Sequence, residues 1–150
     1  MTNQVSWTDD LGGLYNANAV TPLPVTMPAS GIPAGATPLV SASGNVANAS
    51  AVATLAGAAG KTTYISGFEI TGGGATAAAL VSATVAGLLG GTATYTYGAV
   101  TGAAAVNAPL VVVFTPPLPA SAVNTAIVVT LPALGAGNTN AAVVAHGYRV

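Results

Sequence analysis

From about residue 45 onward the chain is a series of short apolar runs, each cut off by glycine, proline or asparagine. So little uninterrupted length suits strands and turns rather than helices, and it predicts an all-β antiparallel sandwich of seven or eight strands. Strands are expected near Ala51 to Ala56, Thr62 to Thr71, Ala79 to Leu88, Thr92 to Ala99, Pro109 to Thr115, Thr125 to Leu131 and Asn140 to Arg149, and Val40 suggests an eighth. The expected separators are Gly57-Ala-Ala-Gly60, Gly72-Gly-Gly74, Gly90-Gly91, Pro116-Pro117-Leu-Pro119 and Gly135-Ala-Gly-Asn138.

Several strands show a readable pattern of faces. Thr92, Thr94 and Thr96 share one side and Tyr95 and Tyr97 the other. Tyr64, Phe68 and Ile70 have one parity, and the run Leu110-Val-Val-Val-Phe114 does not alternate, which predicts a strand covered on both sides. Alanine stands at many core positions, implying closely packed sheets or a thin core.

The first 45 residues read differently. Five of the ten prolines fall between Thr21 and Pro38, and proline fixes φ and removes a donor. Residues 1–45 are therefore expected to form an extended arm and residues 46–150 the sandwich. Trp7, Leu11, Leu14 and Tyr15 are the apolar groups that would anchor such an arm, and tryptophan is a frequent hot-spot residue at contacts. The arm is expected to pack on another subunit, with Trp7 as one anchor.

Charge narrows the function classes. Lysine plus arginine number two and aspartate plus glutamate three, so charged residues are 3% of the chain, against about 25% in a typical domain. Nucleic-acid binding needs several basic phosphate contacts and is not expected. No cysteine is present, and one histidine with three dispersed acids offers no metal cluster; neither a metal nor another cofactor is expected. Catalysis would have to use His146 with Glu69 or with Asp9 or Asp10, and no G-x-S-x-G elbow occurs, so the chain reads as a non-enzyme. In so apolar a chain one or both of Glu69 and Arg149 are expected to meet an opposite charge, in the same subunit or the next.

Three local signals read as background. Gly60-Lys61-Thr62 supplies the end of a phosphate loop, but Leu55 stands where the first glycine belongs and a strand pattern follows in place of a helix. Mean hydropathy is +0.70. The apolar window from Ala75 to Leu89 falls short of a membrane span, and no membrane association is expected. The N-terminal residues lack the basic and apolar regions of an export signal, which predicts a protein made and used without Sec export.

Three phrases carry a family resemblance: "GKTTYISGFEITGGGAT", "PLVVVFTPPLPAS" and "NTAIVVTLPALGAGNTNAAVVAHGYRV". From Gly60 to Val150 the chain resembles the cement or decoration proteins of tailed bacteriophages, which have a jelly-roll-like sandwich. The proline-rich arm lies outside the resemblance. What it implies is a structural protein on the outer surface of the virion capsid, made in the host cytoplasm. Its partners would be the major capsid protein, whose neighbouring subunits it clamps, and further copies of itself at symmetry axes. A surface almost free of charge suits identical copies brought together, because like charges would repel. The alternative is a tail, fibre or lectin-like module that binds glycans or receptors, with Tyr95, Tyr97, Asn138 and Asn140 as candidates.

Overall fold

The computed structural model describes residues 6–8, 14–16, 32–102 and 104–150. Two compact units emerge, Met1–Gly31 and Ile32–Val150. In the first, β1 (Ser6–Thr8) and β2 (Leu14–Asn16) pair antiparallel with Trp7 opposite Tyr15 and Thr8 opposite Leu14. Leu11 lies outside the described residues.

The second unit is all-β among its described residues. Its strands are β3 (Thr37–Ala42), β4 (Ala51–Leu55), β5 (Thr63–Gly73), β6 (Ala79–Leu88), β7 (Gly91–Ala99), β8 (Leu110–Pro119), β9 (Ile127–Leu131) and β10 (Asn140–Arg149). They form two four-stranded antiparallel sheets, ordered β3-β10-β5-β8 and β4-β9-β6-β7. The pairing is nested: β6 with β7, β5 with β8, β4 with β9, β3 with β10. One long hairpin, closed at Leu89-Gly90 and rolled up across both sheets, generates this order, and that is the jelly-roll arrangement. Gly90 and Gly91, at φ 100° and 115°, make the closing turn in a region that residues with side chains seldom enter.

Every strand expected after residue 45 is present, with boundary shifts at several ends. β3 is the eighth, and it lies inside the stretch assigned to the arm. Prolines restrict a strand to an edge, and Pro38 sits in an edge strand, so residues 37–42 join a sheet without breaking that rule. Two separators are corrected, the first of them for the same reason. Pro116, Pro117 and Pro119 belong to β8, the opposite edge of the same sheet, and Gly72-Gly73 extend β5.

The core lies between the sheets. Leu55 of β4, Ile65, Phe68 and Ile70 of β5, and Ile127, Val129 and Leu131 of β9 are buried there, with Val143 of β10. Each fully buried side chain of this size contributes roughly 1.5–3 kcal/mol. Alanine fills one side: Ala51 and Ala53 of β4 and Ala141 and Ala145 of β10 are buried, and Cα atoms of β4 and β10 approach within 8 Å. Sheets bearing larger side chains stack about 10 Å apart, so the alanines permit the closer approach. Aromatic rings fill toward the other side, where Phe68 meets Tyr95 edge-on at 5.2 Å and Phe114 at 6.2 Å.

Candidate interaction surface

Each sheet turns one face to the core and the other outward, and the two outward faces differ. On the β4-β9-β6-β7 sheet a row across the strands reads Val52, Thr130, Thr84, Thr94, with Ser82 opposite Thr96 in the next row. On the β3-β10-β5-β8 sheet the middle row reads Val40, His146, Gly67, Val113, and the next reads Ala42, Val144, Glu69, Val111. Threonine leads on the first, with Val52, Val128 and Leu80 among it, and valine leads on the second.

The valines are open to solvent: Val113 is 73% exposed, Val40 71% and Val111 57%. β8 is thus covered on one side only, and the unbroken run Leu110-Val-Val-Val-Phe114 reflects an apolar outer surface rather than burial on both faces. In a third row Tyr148 stands opposite both Pro38 and Tyr64, and Tyr64 opposite Pro119; Tyr64 is half-buried and Tyr148, at 8% exposure, is buried. The Tyr64 and Tyr148 rings stack at 5.0 Å and 15°. Burial, and after it the neighbouring Tyr64, raises the Tyr148 pKa above its usual 10.0.

A bulge makes that tyrosine pair. Against β10 the β5 register shifts between Ile65 and Gly67, so Ser66 is an extra residue there and alternation restarts after it, while on the other side β8 passes the same point with the longer stretch Phe114 to Pro117. Phe68 and Ile70 face the core while Tyr64 faces outward, in place of the single parity expected for all three.

At the centre of the valine face Gly67 supplies no side chain, and a shallow pocket of about 230 Å³ opens there, lined by Ser66, Gly67, Glu69, Val111, Val113 and His146. A Cβ on Gly67 would come within 2.6 Å of the Val112 carbonyl oxygen. Glu69 is exposed and His146 half-buried, diagonal neighbours across β5 and β10. Ser66, His146 and Glu69 share this rim, yet no hydrogen bond joins any two of them, so the relay a triad requires is not assembled. Among the described residues no three His, Cys, Asp or Glu side chains cluster as metal ligands.

Glu69 and Arg149 are not partners within one chain. Glu69 is in register with Val144 and Arg149 with Thr63, and the stretch of β5 from Thr63 to Glu69 spans roughly 20 Å. Lys61 follows Gly60 in a tight turn bridged to Ala58, and β5 begins directly afterwards where a phosphate loop would open a helix. The glycan candidates do not form an exposed platform: Tyr97 and Asn138 are buried, and Tyr95 packs against Phe68. No helix among the described residues is long and apolar enough to cross a membrane.

The chain matches no family model, no curated protein and no solved structure.

Proposed function

We propose that this chain is a non-enzymatic structural protein of a tailed-phage virion, a cement or decoration protein that binds the outer capsid surface and clamps neighbouring major capsid subunits through its valine face. The observation that carries the reading is the outward surface of the β3-β10-β5-β8 sheet, where Val40, Val111 and Val113 surround one acid and one imidazole. Exposed apolar patches mark interaction sites, and such a surface contributes binding energy only when a partner removes it from water. Half-buried Tyr64, held in place by its stack on buried Tyr148, suits it further, since tyrosine is enriched at interface hot spots. Residues 1–31 are proposed to attach to a second subunit, with Trp7 among the anchors.

Co-sedimentation with shells of the cognate major capsid protein tests the reading. Saturable binding by the wild type, lost in Val111→Lys with Val113→Lys, is the expected result. Binding to a glycan array without binding to shells overturns it.

A further inference from the structure

The two sheets together have four edge strands, β3 and β8 in one and β4 and β7 in the other. An edge offers unpaired backbone N–H and C=O groups to any passing strand, and proteins normally blunt it. Three of the four edges are blunted. β8 carries Pro116, Pro117 and Pro119. β3 is six residues long with Pro38. β4 has only five residues, and its Thr54 amide donates to the Ser41 hydroxyl of β3 at 2.9 Å. β7 differs: nine residues, Gly91-Thr-Ala-Thr-Tyr-Thr-Tyr-Gly-Ala99, with no proline and no charge, and no strand among the described residues pairs with its outer side.

A second observation lies at the far end of this edge. Leu80, 80% exposed, sits opposite Gly98 and stands out as a large apolar side chain on the β7 border of an otherwise threonine-rich face. A Cβ on Gly98 would meet the Leu80 side chain at 3.7 Å, so the leucine lies over the glycine beside the open edge. At the near end of β7 stand Gly90 and Gly91, with nothing within 4 Å of the space a side chain would take.

We propose that two copies of this chain pair through β7, antiparallel about a twofold axis at Tyr95, joining their threonine-faced sheets into one of eight strands. In that register Thr94 lies opposite the partner's Thr96 and Gly98 opposite the partner's Thr92, so each face continues across the seam. Leu80, above Gly98, lies in the row of the partner's Thr92 and beside the space left by the partner's Gly90. The edge is self-complementary and uncharged, so a second copy meets no like-charge repulsion. The inference deepens the reading that copies of this chain meet one another, and it names the strand by which they do so.

Sedimentation velocity of the full chain tests it. The wild type is expected to run at twice the mass of a monomer of 14.2 kDa. Thr94→Lys with Thr96→Lys places lysines opposite lysines on a solvent-facing row, and Thr94→Glu with Thr96→Glu places glutamates opposite glutamates; each variant alone should dissociate at least about 10-fold more readily. Mixing the two should restore the dimer, which shows that both are folded. A wild type that stays monomeric at about 100 μM, or a lysine variant that dimerises as the wild type does, overturns the proposal. Shell binding is read separately, on the variant of Val111 and Val113, so either reading can fail alone.

Discussion

Valine lines one outer face of this sandwich and threonine the other, and the two side chains have nearly the same shape. Both are β-branched and both suit a pleated strand, so the backbone is served equally well by either. What separates them is a hydroxyl in place of a methyl, which can hydrogen-bond to water. In a chain with almost no charge, the threonines Thr84, Thr94, Thr96 and Thr130 do the work that lysine and glutamate do elsewhere. Val40, Val111 and Val113 lack that means of hydration, and the proposed shell contact rests on that difference.

The comparison breaks most readily at the valines. Val111→Lys with Val113→Lys should weaken shell binding by about 100-fold, or about 2.7 kcal/mol, while Thr54→Lys with Ser82→Lys, two exposed positions on separate strands of the other sheet, leaves it within about threefold. Both pairs are surface changes and should keep unfolding free energy within about 0.5 kcal/mol per site in urea melts. Equal losses of binding from the two faces would remove the distinction.

Gly67 tests whether the valine face depends on close backbone approach. A methyl there meets the Val112 carbonyl oxygen, so Gly67→Ala should destabilise the sandwich by about 1–3 kcal/mol through displacement of β8 from β5. An unchanged melting curve would show that the pocket accommodates a side chain. The tyrosine pair should matter less: Tyr64→Ala removes a stacked ring and should cost about 0.5–1.5 kcal/mol beyond its lost burial, read from a double-mutant cycle with Tyr148→Ala.

The smallest effect is at high pH. The folded state raises the Tyr148 pKa, so folding favours the neutral phenol; that contribution is complete below pH 10.0, the usual value, and is lost as pH rises through the folded pKa. Stability should decline above about pH 10, and Tyr148→Phe should make the decline shallower. An identical decline in the variant would place its origin elsewhere.

The strands were legible because glycine and proline clusters punctuate this sequence so regularly. Alternation also gave β7 correctly, with Thr92, Thr94 and Thr96 exposed and Tyr97 buried. The outward surface of the other sheet was not legible, for three physical reasons. One bulged residue, Ser66, reverses the parity of everything before it, and nothing in the local sequence announces a bulge. An unbroken run such as Leu110-Val-Val-Val-Phe114 has the same composition whether its second face is buried or open to solvent. Glu69 and His146 become neighbours only through the long-range pairing of β5 with β10, which no local pattern specifies. Pro38 and Pro117 misled for a related reason: a proline argues against an inner strand, and edge status is decided by the topology.

The nested hairpin also sets an order of assembly. Strands paired near Leu89-Gly90 are close in sequence, whereas β3 and β10 are joined across most of the unit, as in the bond from the Val143 amide to the Ser43 hydroxyl, 100 residues away. Contacts so distant form late and slow the folding of the whole. β10 is inserted between β3 and β5, so during synthesis the sheet remains split down its middle until residues 140–149 have left the ribosome. For that interval two inner strand edges are bare on a chain with scarcely any charge to hold nascent neighbours apart. How quickly the last strand closes that gap then governs how much of the newly made chain escapes aggregation.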